Sequence, residues 1–262
     1  MSNSFILVNR QNPSITVMTL NRPEKRNALN IALIEEFCSI YSETEQLTSQ
    51  RVMIIRAEGP HFCAGLDLNE AADPELVDKS GSLLAKLFKT IYDSPLISIA
   101  AVQGSALAGG AGIVTACDIA LANKDSHFGY PEVHRGLVAA QVSTLLRRQI
   151  VMRHVRELLL LGELIDAQRA LEIGLINRVV EADELFLKAL EMAASILKGT
   201  PKAVIETKRL LTNLELISLE DDLNIAMEAH HRARLSEEAK ESINAFLGRS
   251  SNGETKEGPK KA

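Results

Sequence analysis

The sequence predicts an α/β core followed by a helical C-terminal extension. Two observations carry this. Compact apolar runs of strand length, such as RVMIIRA (51–57) and PLISIAAV (95–102), alternate with longer helical patterns. That alternation is the mark of βαβ units and a mostly parallel, buried sheet. After about Val138 the character changes, and helical patterns follow one another with one short strand among them.

In chain order, Phe5–Asn9 and Ser14–Leu20 are β-rich runs separated by Gln11, Asn12 and Pro13, a hairpin by turn chemistry. A helical pattern begins at Asn27 and places Leu33, Ile34, Phe37, Cys38 and Tyr41 on one face. The strand Arg51–Ala57 is closed by Gly59 and Pro60, and a second helix spans roughly Pro74–Tyr92. Pro95–Val102 is again a strand. A Gly/Ala-rich segment, Gly104–Gly112, leads into a helix ending near Cys117, and Asp118–Ala122 is a third central strand. Helices are then expected over Ser143–Gln149, Arg156–Leu161, Ala167–Ile173 and Ala182–Leu197, with the strand Leu175–Val180 among them. Pro201–Thr212, Ile217–Leu235 and Glu237–Leu247 complete the helical part. The organisation is a core over 1–195, a helical region over 196–248 and a polar tail over 249–262. The tail, GRSSNGETKEGPKKA from Gly248, has too little apolar surface to order itself.

Composition narrows the class. The 262 residues are 46% hydrophobic, 24% charged and 4% aromatic with no Trp, the make-up of a globular chain. A net charge of −5 offers nothing to a nucleic acid backbone. The first residues lack a basic region followed by an unbroken apolar run, so no signal peptide is expected. No stretch approaches a membrane span. Cys38, Cys63 and Cys117 are too scattered for a disulfide framework or a structural zinc site. A cytoplasmic protein with reduced thiols is expected.

The familiar phosphate motifs fail. Gly104–Ala111 has the first glycine spacing of a P-loop but lacks its Lys-Ser/Thr pair. Gly110-Ala-Gly112 lacks the third glycine of a dinucleotide fingerprint. Two glycine turns remain, each directly after a buried strand: Gly59–Asp67 and Gly104–Gly112. Glycine permits close backbone approach, and a helix start leaves N–H groups unpaired. Such turns serve either tight strand-to-helix packing or an oxyanion hole, in which each N–H donor contributes about 3–4 kcal/mol.

Five strings together resemble the crotonase superfamily, the enoyl-CoA hydratase/isomerase family. They are LNRPEKRNALN (20–30), FCAGLDL (62–68), QGSALAGGAG (103–112), CDIALA (117–122) and FGYPEVHRGLV (128–138). They stand in family order and spacing, and the likeness continues through LLLLGELIDAQRALEIGLINRVV (158–180) to NAFLGR (244–249). The resemblance implies a spiral of ββα units with a helical C-terminal trimerisation region, as a homotrimer or a hexamer of paired trimers. It implies an acyl-CoA thioester as substrate, with no metal and no separate cofactor because coenzyme A arrives on the substrate. Neither nucleic acid nor membrane is an expected partner.

Residue by residue, the resemblance implies that Leu66 and Gly109 give the two oxyanion N–H groups and that Glu132 is the acid/base. Lys25 and Arg26 match basic positions that meet the CoA phosphates. Ala28, Ala64, Asp67 and Leu68 lie along the adenine and pantetheine path, with Gly110 and Pro131 beside the site. Phe246 matches a position that covers the nucleotide of a neighbouring subunit. Hydratases of the family hold a water between two glutamates. Here the first maps to Gly112, which cannot titrate. One carboxylate and an oxyanion hole most simply give a proton shuttle, which is double-bond isomerisation. Decarboxylation, hydrolysis or C–C bond chemistry through the same enolate, or silent acyl-CoA binding, stay compatible. Hydration would need another group to place water, with His61, Glu70, His127, Tyr130 and Gln141 as sequence-near candidates.

Other polar clusters are expected to be bland. His127, Glu132 and His134 do not have a metal-ligand spacing, and Cys63 lacks a paired base. His230 and His231 on a polar helix, Arg147 with Arg148, and Lys208 with Arg209 are expected to be solvated charges.

Overall fold

The structure is a computed structural model that describes residues 4–214 and 218–251. The chain opens with β1 (Ile6–Asn12) and β2 (Ile15–Leu20), an antiparallel hairpin whose first strand extends beyond the expected Asn9. α1 (Ile31–Glu45) starts at Ile31 rather than Asn27. Arg26 and Asn27 hold positive φ of 51° and 53°, which a right-handed helix cannot contain. Asn30 then caps the helix, its side chain accepting from Leu33 N at 3.0 Å.

Next come β3 (Val52–Ala57), the short α2 (Leu68–Ala71) and α3 (Val77–Tyr92). Two ββα units follow. The first is β4 (Ile97–Val102), β5 (Ser105–Leu107) and α4 (Gly109–Ala116). The second is β6 (Ile119–Asn123), β7 (His127–Gly129) and α5 (Ala140–Gln149). In each unit the first strand joins a six-stranded sheet, order β1-β2-β3-β4-β6-β9, where β9 is Arg178–Val180. All pairs in it are parallel except the hairpin. The second strands form a small sheet, β5-β7-β8, completed by β8 (Leu164–Asp166). None of these three short strands stands out in the sequence, because three residues are too few to show a period of two.

Both faces of the main sheet are covered. Along β3, Met53 and Ile55 point into the large core under α1, α3 and α4, and Val52 and Ile54 point into a smaller one. Ala189 and Ala193 of α8 (Leu185–Leu197) close that smaller core. Between these parts lie α6 (Met152–Leu161) and α7 (Ala167–Glu172). The C-terminal region consists of α9 (Pro201–Asn213), α10 (Leu219–Arg234) and α11 (Glu237–Ser251). α11 runs through Gly248 to Ser251, past the expected end at 248, since one internal glycine costs a helix only about 1 kcal/mol. The rest of the expected tail, 252–262, lies outside the described residues.

α10 packs against α3 and α5, and α11 against α2 and the turn 131–135. The helical extension therefore lies over the core of its own chain. Among the described residues no helix is long and apolar enough to cross a membrane.

The core makes a direct prediction. Ile55 is fully buried in the central strand, so Ile55→Ala should cost about 2–5 kcal/mol, measured by urea unfolding.

Candidate active site

The site forms where two turns meet. After β3 the chain passes Cys63, which bridges to Ala106 of β5. Cys63 N donates to Ser105 O at 3.1 Å and Leu107 N to Cys63 O at 2.9 Å. The turn is thus an added strand of the small sheet. Gly65 has φ +91°, and a Cβ there would lie 2.8 Å from Ala108 Cβ and 3.3 Å from Gly109 N. Gly110 is tighter still: a Cβ would come within 2.3 Å of Cys63 O. Only glycine at both places lets the two backbones touch.

That contact exposes two donors. Leu29 N binds Gly65 O at 2.8 Å, and Asp67 N binds Leu29 O at 3.0 Å. The bonds flank Leu66, and its own N–H has no backbone acceptor among the described residues. Gly109 is the first residue of α4, so its N–H has no carbonyl one turn earlier in the helix. Ala108 before it holds φ 49° and ψ −122°, a conformation a non-glycine residue keeps only when its surroundings enforce it. Its own N–H is tied to Gly129 O at 2.9 Å. The 108–109 peptide is therefore fixed in an unusual orientation at the mouth of α4.

Leu66 and Gly109 both line one cavity of about 100 Å³, many times the roughly 10–15 Å³ that a single water needs. Glu132 lines it too. It sits in the 3₁₀ turn Pro131–Arg135, which follows β7 and is started by Pro131 and closed by Gly136 at φ 65°. Glu132 Oε2 is sealed from solvent and has no hydrogen-bond partner among the described residues. Burial pushes its carboxyl up to about 7, while its own backbone N–H and the nearby Arg135 charge pull partly back. A carboxyl poised near neutrality can both take and return a proton.

The remaining expected residues divide. Ala64, Leu68 and Pro131 line the cavity. Lys25 and Arg26 are exposed at its border, where Ala64 N binds Arg26 O at 3.0 Å. Ala28 and Gly110 do not line the cavity. Asp67 does not line the cavity; it caps α2 and pairs with Arg22 at 2.6 Å. Burial alone would raise its carboxyl, but Arg22 and Asn69 hold it below the ordinary value. The side chain of Phe246 lies outside the described residues.

Of the groups considered for placing water, Gln141 alone lines the cavity, and its Nε2 is turned to Met227 Sδ at 3.2 Å. Glu70 accepts from Ile31 N at 2.8 Å, and Tyr130 shares a bond of 3.2 Å with Thr115 Oγ1. His127 binds the Asp125 carbonyl. Cys63 is inert: burial pushes its thiol up to about 12, and it donates to Asn27 O.

A sequence profile described as enoyl-CoA hydratase/isomerase matches residues 10–253. The chain belongs to the enoyl-CoA hydratase/isomerase family. A short-chain-enoyl-CoA hydratase of Clostridium acetobutylicum is 32% identical over 89% of this chain and 91% of its own length. A mevalonyl-coenzyme A hydratase of Aspergillus fumigatus is 33% identical over 92% and 91%. The crystal structure of an enoyl-CoA hydratase from Mycobacterium avium superposes with a TM-score of 0.85 at 31% identity, covering 94% of this chain and 97% of that one. The fold is that of the crotonase superfamily, and the protein is a family enzyme acting on acyl-CoA.

Sequence reasoning missed four residues of this family member's site. Asn27 is fully buried and donates to Glu58 O and His61 O, both at 2.9 Å, while accepting from Arg22 N at 2.8 Å. It pins the turn that leads to Leu66 to the end of β3. Arg26 and Ala28 on either side of it are good helix formers, so the local sequence carried no signal for this role. Arg135, His230 and Arg234 also line the cavity. His230 was expected to be solvated, yet α10 turns it inward, and only His231 is exposed, against Asp78 at 2.8 Å. The Arg147 and Arg148 expectation fails similarly, since both bind the buried carboxylate of Asp222. Lys208 is also paired, with Asp118 at 2.8 Å, whereas Arg209 is exposed and paired only with its helix neighbour Glu206. An ion pair across elements cannot be read from one strand of sequence.

Two outcomes follow from Glu132. Its raised pKa of about 7 should make kcat/KM rise about tenfold per pH unit below that value and level off above it, if its carboxylate is the base. Glu132→Gln should lower kcat about 10²–10⁴-fold and remove the inflection. The stability sign is opposite to that of a salt-bridged acid. The folded state holds the proton more tightly than the unfolded chain, so stability is lost as pH rises from about 4.5 to about 7. Thermal melts should therefore show the Tm of Glu132→Gln gaining on that of the unsubstituted protein over that window.

Proposed function

We propose that the protein moves a double bond along an enoyl-CoA thioester, with Glu132 as the sole proton carrier. The thioester oxygen would sit between the N–H groups of Leu66 and Gly109. Glu132 would remove a proton from C2 or C4, the oxygen would take up the negative charge as the dienolate, and Glu132 would return the proton at the other carbon.

The observation that carries this reading is what stands at Gly112. A Cβ there would lie 2.3 Å from Phe88 Cζ and 2.7 Å from Phe88 Cε1. Phe88 is fully buried. The place for a second carboxylate is filled by an aromatic ring, and among the described residues Glu132 is the one acid lining the cavity. Adding water across a double bond requires both deprotonating the water and protonating carbon. A single carboxylate suffices to take a proton from one carbon and return it at another.

The trimer or hexamer implied by resemblance belongs to the same proposal. Leu210, Leu211 and Leu214, at the end of α9, are 57–69% exposed, and an assembly would cover them. Static light scattering should then give a mass three or six times that of the chain.

Incubation of 2-enoyl- and 3-enoyl-CoA thioesters in deuterated water tests the chemistry by mass spectrometry. Deuterium at C2 or C4 with interconversion of the isomers, and no gain of water, is expected. Net hydration as the main product would overturn the reading. A second test uses the steric block. Gly112→Glu alone should destabilise the fold by a few kcal/mol, as overpacking does. Gly112→Glu with Phe88→Ala should recover stability and show hydration that the parent lacks.

A further inference from the structure

The cavity wall opposite the turns is unlike the rest of its apolar lining. It is supplied by α10, which brings His230 and Arg234 to the same space as Glu132. Arg234 is 4% exposed. One of its terminal nitrogens donates to Ala71 O, and its Nε is buried without a partner. No carboxylate lies within ion-pair distance of it among the described residues, and burial is the one influence acting on its charge. The neighbouring buried guanidinium is treated quite differently. Arg148 has a side chain only 6% exposed, and Asp222 neutralises it. Among the described residues, therefore, one buried guanidinium is paired and another, at the cavity, has no counter-charge.

His230 adds to the oddity. It is 6% exposed, and its Nε2 has no hydrogen-bond partner among the described residues. Its ring lies so close to α3 that a Cβ on Gly81 would come within 2.8 Å of it. Burial and the Arg234 charge together push its pKa down to about 4, so it is a neutral hydrogen-bonding group at physiological pH. A glycine in mid-helix, which weakens α3, makes room for a polar ring at the cavity.

Removing one partner of a buried ion pair is costly because the remaining charge has lost its hydration. An alkyl chain filling this cavity would do the same to Arg234, displacing whatever water serves it. An acyl group that carries its own anion would instead supply the missing partner. Lys25 and Arg26, exposed at the border, are separate cations and remain available for phosphates.

Building on the proposed acyl-CoA chemistry, we infer that the substrate is the mono-CoA thioester of a dicarboxylic acid, its free carboxylate held by Arg234 with His230 beside it. Guanidinium and carboxylate match as a charge-assisted, often two-point, hydrogen-bonded pair. In a desolvated cavity such a pair discriminates strongly against a methyl group at the same place.

Calorimetric binding of saturated thioesters tests this without any need for turnover. Succinyl-, glutaryl- and adipoyl-CoA would be compared with butyryl-, pentanoyl- and hexanoyl-CoA of equal chain length. At the best length the carboxylated ligand should bind about tenfold or more tightly than its methyl-ended partner. Arg234→Met, which keeps the bulk, should bring that ratio to about one, and Arg234→Lys should keep part of it. A ratio of one or below in the unsubstituted protein overturns the inference. So does an Arg234→Met variant that is folded, by its unchanged melting profile, and retains the full ratio. The deuterium experiment stands apart: thioesters that bind with the expected ratio but exchange no proton would sink the proposed chemistry and leave this inference intact.

Discussion

The site depends on the contact between the backbone of Cys63 and that of Gly110. A Cβ on Gly110 would come within 2.3 Å of the Cys63 carbonyl oxygen, so nothing larger than hydrogen fits. This approach brings the start of α4 against the turn after β3 and sets Leu66 and Gly109 on one cavity. Everything around it serves that approach. Asn27 ties the turn to the end of β3, and the Arg22–Asp67 pair joins the two flanking segments across 2.6 Å. The small sheet carries Ala108 to a backbone conformation that frees the Gly109 donor. Fixed dipoles of this kind stabilise charge without having to reorganise during reaction.

A second constraint acts on the chemistry. The cavity is apolar enough to raise the Glu132 carboxyl to about 7, and behind it Phe88 packs so closely on Gly112 that a Cβ there would lie 2.3 Å from the ring. The same low dielectric that tunes Glu132 makes Arg234 expensive to bury alone, and the proposed substrate would meet the first with its acyl carbons and the second with its free carboxylate.

Much of this was legible in the sequence because it depends on backbone. The buried strands announced themselves as continuous apolar runs, and the glycine turns after them marked the close approach. That position 112 offers no carboxylate follows from its being glycine. What sequence did not show is what depends on partners far along the chain. The strands β5, β7 and β8 are three residues each and exist only as a set. Phe88 could not be linked to Gly112 without the packing of α3 on α4. His230 and Arg234 look like ordinary polar residues of an amphipathic helix, and become cavity residues only because α10 folds back between α3 and α5. The pairing of Arg22 with Asp67 joins residues 45 apart in the chain and was likewise invisible in the sequence.

The most direct test is a crystal structure of the protein with a saturated acyl-CoA thioester. The account predicts the thioester oxygen at about 3 Å from the backbone nitrogens of both Leu66 and Gly109. It further predicts the Glu132 carboxylate against the acyl carbons with the Phe88 ring still packed on Gly112. A thioester oxygen bound elsewhere, or a Phe88 ring swung aside to admit a second acid or an ordered water opposite Glu132, would contradict it.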